Sequence, residues 1–320
     1  MPLNVVSRSF RVEGHQGLGN KPKPELIGPV LSELHGSLQD AVRMGFLHSS
    51  RPHGRIRMAL KDAADVRFIG HEGTGNSVTV LHFELPPFGS AAAEFFQQPR
   101  LWDDRPNPDD TAFELFGAAL NDVAARRADS SRYDPPLLRR ISRYGRMLKR
   151  GINRVSLVDA ALAETGRIDA DVVHSASQLA AATPSAQRAR VVGRLDLMGA
   201  SQGVLKIEVK PGQVVTALWD SNEPIDNYRE LFNRDVVVEG LAIFRPSGTL
   251  LRLDADLIAP ASAQQDFFRQ IPQASDSRDY QKLARLKPHE RSAYIHLRGC
   301  TPAEAGELDA DFDAALAALR

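Results

Sequence analysis

Apolar and polar positions alternate most regularly between Val191 and Ile258. In VVGRLDL, Val191, Leu195 and Leu197 fall on one face and Arg194 and Asp196 on the other, and Leu205, Ile207 and Val209 stand against Lys206, Glu208 and Lys210. Pro211-Gly212 turns the chain into Val214 to Trp219. Asn222 and Pro224 open a helix on which Ile225, Tyr228 and Phe232 recur at helical spacing. A β-branched run from Asp235 to Arg245 and a final alternating one, Leu251, Leu253, Ala255 and Leu257 against Arg252, Asp254 and Asp256, complete the series. Strand, strand, strand, helix, strand, strand is the order of an OB-like Greek-key barrel; an SH3-like barrel or an open five-stranded sheet are the alternatives.

Upstream the period changes. Val5 to Val12 alternates as a first strand, and Gly14, Gly17 and Gly19 follow it. Their spacing fits neither dinucleotide nor phosphate-loop signatures, so a flexible turn is expected. Ile27, Leu31, Leu34, Leu38 and Val42 mark an amphipathic helix from about Glu25 to Met44. Two strand-like runs, Ile56 to Gly70 and Ser77 to Leu85, flank the polar loop His71 to Asn76 and supply a sheet for that helix. A proline- and aspartate-rich surface loop spans Gln97 to Asp110 and contains Trp102. Thr111 with Glu114 reads as a capping box ahead of a helix to about Arg127, Val155 to Val158 as a short strand, and Ala170 to Ala182 as a helix bearing His174.

The expected class is α+β: an N-terminal helix-on-antiparallel-sheet unit, connecting helices, a C-terminal OB-like β-barrel and an acidic terminal helix. The divisions are 1–130 for the α+β domain, 131–189 for the basic helix and connecting segment, 190–259 for the barrel and 260–320 for a linker and the terminal helix. Within the last, Ala259 to Lys287 reads as a mobile linker.

Charge changes this picture in two places. Between Pro136 and Arg154 there are seven basic residues and no acidic one. Leu137, Ile141, Tyr144 and Leu148 form one helical face, and Arg139, Arg143, Arg146 and Arg150 the opposite one, with Lys149 beside them. Such a stripe suits nucleic-acid phosphates, an acidic protein surface or the chain's own acidic tail. That tail holds Glu304, Glu307, Asp309, Asp311 and Asp313, with Leu308, Phe312 and Leu316 as an apolar stripe for contacting a partner helix. Over the whole chain 40 basic residues balance 40 acidic ones, so no global field draws it to nucleic acid or to an anionic membrane.

Candidate chemistry is sparse. His71 with Glu72, and His82 with Glu84, are the available proton-transfer groups, and the sequence names no third residue to orient them. The single cysteine, Cys300, excludes an intrachain disulfide and a thiolate metal cluster within one chain. No cofactor or metal is expected. In the barrel segment eight basic residues face ten acidic ones, and the base-stacking candidates Trp219 and Phe244 lie in apolar strands, which disfavours single-strand binding there. With no signal-like N-terminus and no apolar run of membrane-spanning length, a cytoplasmic, non-membrane protein is expected. Of the basic residues 32 are arginine, a hint of a GC-rich bacterial genome.

The runs VVGRLDL, RDVVVEGLAIFRPSG and LRLDADLI, followed by the acidic C-terminal stretch, resemble those of uncharacterised bacterial proteins whose last third holds a small barrel. That resemblance implies toxin–antitoxin or phage-defence (antiviral) neighbourhoods and no functional residues. The expectation is a non-enzymatic binding or regulatory subunit with a protein partner; a nucleic-acid-binding protein using the basic helix and an enzyme with a His/Glu site are the alternatives.

Overall fold

The structure is a computed structural model that describes residues 4–52, 56–96, 105–159, 161, 163–199, 203–219 and 225–274. Strand β1 (Val6–Gly14) leads to the long helix α1 (Pro24–Leu47) and the short α2 (Met58–Ala63). The hairpin β2 (Arg67–Thr74) and β3 (Val78–Leu85) and the single turn α3 (Phe88–Ala91) follow. Next come α4 (Ala112–Ala124), α5 (Pro135–Arg143), α6 (Gly145–Leu148), β4 (Ile152–Val158), β5 (Glu164–Ile168) and α7 (Ala170–Ala182). The five strands form an antiparallel sheet in the order β2-β3-β1-β4-β5.

One face of that sheet is the floor of the core. Phe10, Val12, Leu81, Phe83, Val155, Leu157 and Ile168 are buried beneath Leu34, Leu38, Phe113, Leu120, Leu137 and Ile141 of α1, α4 and α5. Phe10 meets Phe113 edge-on at 4.7 Å and Phe83 at 5.9 Å. The capping box is present: Thr111 Oγ1 accepts from the Phe113 amide at 3.2 Å, and the Glu114 carboxylate accepts from the Thr111 amide at 2.8 Å.

Three expectations in this half are corrected. The run from Ile56 is not one strand, because Met58-Ala-Leu-Lys-Asp-Ala contains no β-branched residue and buries Leu60 and Ala63 as a helical turn. Strand β2 runs on through His71 and Glu72 to Thr74, leaving a tip of three residues, Gly75 to Ser77. The glycine turn after β1 is not a free loop either. Leu18 donates to the Asn76 carbonyl, and Thr79 Oγ1 accepts from the Gly19 amide at 2.8 Å, so these amides are spent on the β2–β3 hairpin and leave no phosphate cradle. Backbone lies on backbone here: a Cβ built on Gly73 would stand 1.9 Å from the Gly19 carbonyl carbon.

Strands β6 (Gln187–Gly199), β7 (Val204–Lys210), β8 (Gln213–Leu218), β9 (Asp235–Phe244) and β10 (Leu250–Pro260) close into a barrel in the order β10-β8-β7-β6-β9. Neighbours are antiparallel except β8 and β10, which pair in parallel. Val191, Leu195, Leu205, Ile207, Val215, Val238, Phe244 and Leu253 fill it. Residues 222–224, the expected cap and first helical residue, lie outside the described residues. The element that follows is a 3₁₀ helix, Ile225–Leu231, and not an α-helix. Three residues per turn place Leu231 beneath Tyr228, so Leu231 is buried and Phe232, at the α-helical spacing, is 53% exposed.

The strict alternation expected along β6 and β10 is interrupted by register shifts. One between Ala255 and Leu257 turns Leu257 outward and packs Ile258 on the core, and one between Leu195 and Leu197 leaves Leu197 half-buried. Arg252, expected on the wet face, is only 6% exposed because the first half of the molecule covers it. The expected mobile linker also differs as far as Ala274. A 3₁₀ helix, Ala263–Phe268, is followed by Arg269, which pairs with Asp235 at 2.7 Å, and Ile271 and Ala274 pack on the barrel core. Phe268 lies under the Arg190 guanidinium at 5.0 Å.

A glycine pair tests the packing. Gly73→Ala should lower unfolding stability by about 2–3 kcal/mol. Gly28→Ala, in α1 where a Cβ would meet nothing within 4 Å, should raise it by about 0.5–1 kcal/mol. Urea titration of both variants reads the two signs.

Candidate interaction surface

The basic stripe rests on a short, interrupted helix. Asp134 caps α5, its Oδ1 accepting from the Leu137 amide at 3.2 Å, and Pro135 follows as the first helical residue. Leu137, Ile141, Tyr144 and Met147 are buried below. The single helix expected to carry the Leu137 to Leu148 and Arg139 to Arg150 faces is broken: α5 ends at Arg143, Tyr144 joins it to α6, and Gly151, at φ +105°, turns the chain into β4. Arg154 therefore lies on β4, where it pairs with Glu164 and bonds Ser156 at 3.0 Å.

That break sorts the seven cations into two kinds. Arg140 turns inward, Nε donating to Asp40 Oδ2 at 2.5 Å and Nη1 facing Glu33 at 3.4 Å. Asp40 is 1% exposed; burial pushes its carboxyl above the ordinary range, against the hydrogen bond and charge of Arg140 and the charge of Arg43. Arg139, Arg143, Arg146, Lys149 and Arg150 are all exposed, and among the described residues none has an ion pair. Several sit at helix C-termini, where the dipole favours a cation by about 0.3–1 kcal/mol, a modest reason to place one or two there and not five. Leu308, Phe312 and Leu316 and the acidic run around them lie outside the described residues, as does Trp102.

Of the proton-transfer candidates, the fold brings two together and adds a third group. His82 Nδ1 is 3.0 Å from Ser9 Oγ and its Nε2 is 3.6 Å from Glu72 Oε1. Ser9 stands directly opposite His82 in the strand register, a pairing invisible without the sheet order. The three stand on the open face of the sheet with the Glu72 side chain 72% exposed, so water, not protein, surrounds the carboxylate. A hydroxyl, an imidazole and a carboxylate in sequence can relay a proton, but water over the carboxylate weakens the electrostatics that catalysis needs. His71 bonds the Asn20 carbonyl at 3.2 Å instead, and Glu84 shares the face of His82 without joining the trio. His174 is exposed on α7.

Trp219 and Phe244 are 8% and 1% exposed, so neither offers a stacking surface. Among the described residues no group of three or more His, Cys, Asp or Glu is placed to hold a metal, and no helix is long and apolar enough to cross a membrane. No protein-family model, curated protein or solved structure matches the chain.

The two kinds of cation should separate in stability measurements. Replacing Arg139, Arg143, Arg146 or Arg150 singly by Gln should change unfolding free energy by less than about 0.5 kcal/mol. Arg140→Gln should cost about 2 kcal/mol at neutral pH by leaving the buried Asp40 with only the looser Arg43 contact at 3.5 Å. A raised carboxyl pKa means a contribution that is fully present below the unfolded value, about 3.9, and lost as pH rises through the folded one. The Arg140→Gln deficit should accordingly shrink between pH 7 and pH 4, because a protonated Asp40 needs no cation; urea titrations at the two pH values read it.

Proposed function

We propose that the protein is a non-enzymatic binding or regulatory subunit of a bacterial cytoplasmic complex, and that the exposed face of α5 and α6 is its contact with an acidic surface of a protein partner. The observation that carries this reading is the contrast among the arginines. Arg8, Arg140, Arg154, Arg194, Arg252 and Arg269 each have a carboxylate in the fold, while Arg139, Arg143, Arg146, Lys149 and Arg150 have none among the described residues. Clustered like charges repel, and an anionic partner relieves that repulsion.

We read the barrel as OB-like. Its support is the connectivity: three meandering strands, a helical turn between the third and fourth, a parallel pairing of the third and fifth, and closure of the first on the fourth. The loop between its last two strands, where OB barrels often meet ligands, is here occupied: Ser247 Oγ donates to Asp129, and the Ser247 amide to the Ala128 carbonyl at 3.3 Å. With that loop engaged and both candidate stackers buried, the barrel fits a structural role better than a strand-binding one.

Nucleic acid is the second reading, favoured by the same five unneutralised cations, which suit phosphates as well as carboxylates. Purification from the native source with mass detection should find the chain in a stable complex. Substitution of all five cations by Gln should release the partner. A lone monomer would contradict the proposal. The nucleic-acid reading instead predicts a mobility shift whose affinity falls with salt at a log–log slope of roughly −4 to −5 and vanishes in the same variant.

A further inference from the structure

Two cavities meet at Arg245. One, of about 540 Å³, lies between the helical layer and the barrel, with Met44, His48, Arg105, Asp110, Arg132 and Arg245 among its walls. The other, of about 900 Å³, opens at the end of the barrel between β8, the start of β10 and the segment Gln270–Gln273, and Arg245 lines it too.

Arg245 differs from the other arginines set into this fold. Arg8 faces Glu114 at 2.7 Å, Arg140 faces Asp40 at 2.5 Å, and Arg252 faces Asp254 at 2.8 Å and Asp134 at 3.5 Å. The half-buried Arg245 has no carboxylate at ion-pair distance among the described residues. Its Nη1 donates to the Leu250 carbonyl and lies 3.5 Å from Thr249 Oγ1, and its buried Nε has no hydrogen-bond partner among the described residues. A desolvated guanidinium with an N–H left unmade, and with Asp129, the charge that acts on it, beyond ion-pair distance and already bonded to Ser247 and Thr249, is costly unless a further negative group stands beside it. Burial acts on the first cavity as a whole: it pulls the Arg245 guanidinium below its ordinary range against the charge of Asp129, and with the Glu114 charge it pushes the Asp110 carboxyl above its own. Glu114 is already spent on Arg8 and on the Thr111 amide and hydroxyl, and the Arg132 Nη1 on Asp122.

We propose that Arg245 anchors a binding site for a small oxyanion-bearing ligand, a phosphate or a carboxylate, in the cavity between barrel and helical layer, with Arg105 and Arg132 lining the same space. The volume lies within the range of small-molecule sites, and planar guanidinium forks suit both oxyanions. A ligand held there touches the barrel through Arg245 and the helical layer through Arg105 and Arg132, so binding ties the two together and shows as thermal stability.

The test is thermal unfolding of the full chain in inorganic phosphate and in succinate, each against sodium chloride at matched ionic strength. At least one of the two should raise Tm by about 2–4 °C over chloride. A response to phosphate alone assigns a phosphate-bearing ligand, one to succinate alone a carboxylate-bearing one. Arg245→Met should abolish the response, and the five-fold Gln variant of the α5–α6 stripe should retain it, which separates this site from the proposed contact surface. If Arg245→Met does not fold, Arg245→Lys is read instead: it keeps the charge without the fork and should need about tenfold more anion. Wild-type Tm no higher in either anion than in chloride, or an unchanged response in the Arg245 variant, overturns the proposal.

Discussion

A buried carboxylate sits at the centre of the contacts that join the sheet-and-helix half to the barrel. Asp134, 1% exposed, accepts from the Leu137 amide as the cap of α5 and from the Ser50 amide and hydroxyl at 3.0 and 2.6 Å, and it faces Arg252 of the barrel at 3.5 Å. Arg252 in turn donates to the His48 carbonyl at 3.1 Å, just past the end of α1. One charge thereby ties the end of the longest helix, the start of the basic helix and a barrel strand. A carboxylate this deep is tolerable only because each oxygen has donors and a cation stands beside it. Around it, Ser247 and Thr249 fasten the β9–β10 loop to Asp129, whose carboxyl their hydrogen bonds hold below its usual range.

The position of the basic stripe follows from that anchoring. Asp134 sets where α5 begins, Tyr144 and the Arg140–Asp40 pair fix which way it is rolled, and the remaining cations are left facing water. Arg140 lies one residue from Arg139 in sequence, about 100° around the helix, which is enough to make one a core ion pair and the other a surface charge. Binding capacity and stability are thus carried by different members of one basic run, and each can be altered without the other.

Local patterning made the elements legible, and long-range pairing hid what it could not contain. The strand-like runs do form β6 to β10, although the buried Lys206 and Arg252 break their expected alternation, while the 3.6-residue period of α1 and α4 survives and α7 spans Ala170–Ala182 as its pattern indicates. Strand β5 carries only five residues, Glu-Thr-Gly-Arg-Ile, too few to alternate visibly. The burial of Arg252 could not be seen, since a strand face reads as wet until another part of the chain covers it. Bulges in β6 and β10 defeat simple alternation, because one inserted residue exchanges inside for outside. The stripe residues were readable from charge and spacing, whereas Ser9 beside His82 and the unmatched Arg245 depend on which strands and loops become neighbours.

The most direct test of this account is a double-mutant cycle on Asp134 and Arg252 in chemical denaturation. Asp134→Asn keeps an acceptor for the α5 cap, and Arg252→Met keeps the aliphatic bulk, so the cycle isolates the charge pair. If the pair joins the barrel to the basic helix as described, each single variant is strongly destabilised and the double variant loses less than their sum, by about 2 kcal/mol. Losses that add to within about 0.5 kcal/mol would contradict it.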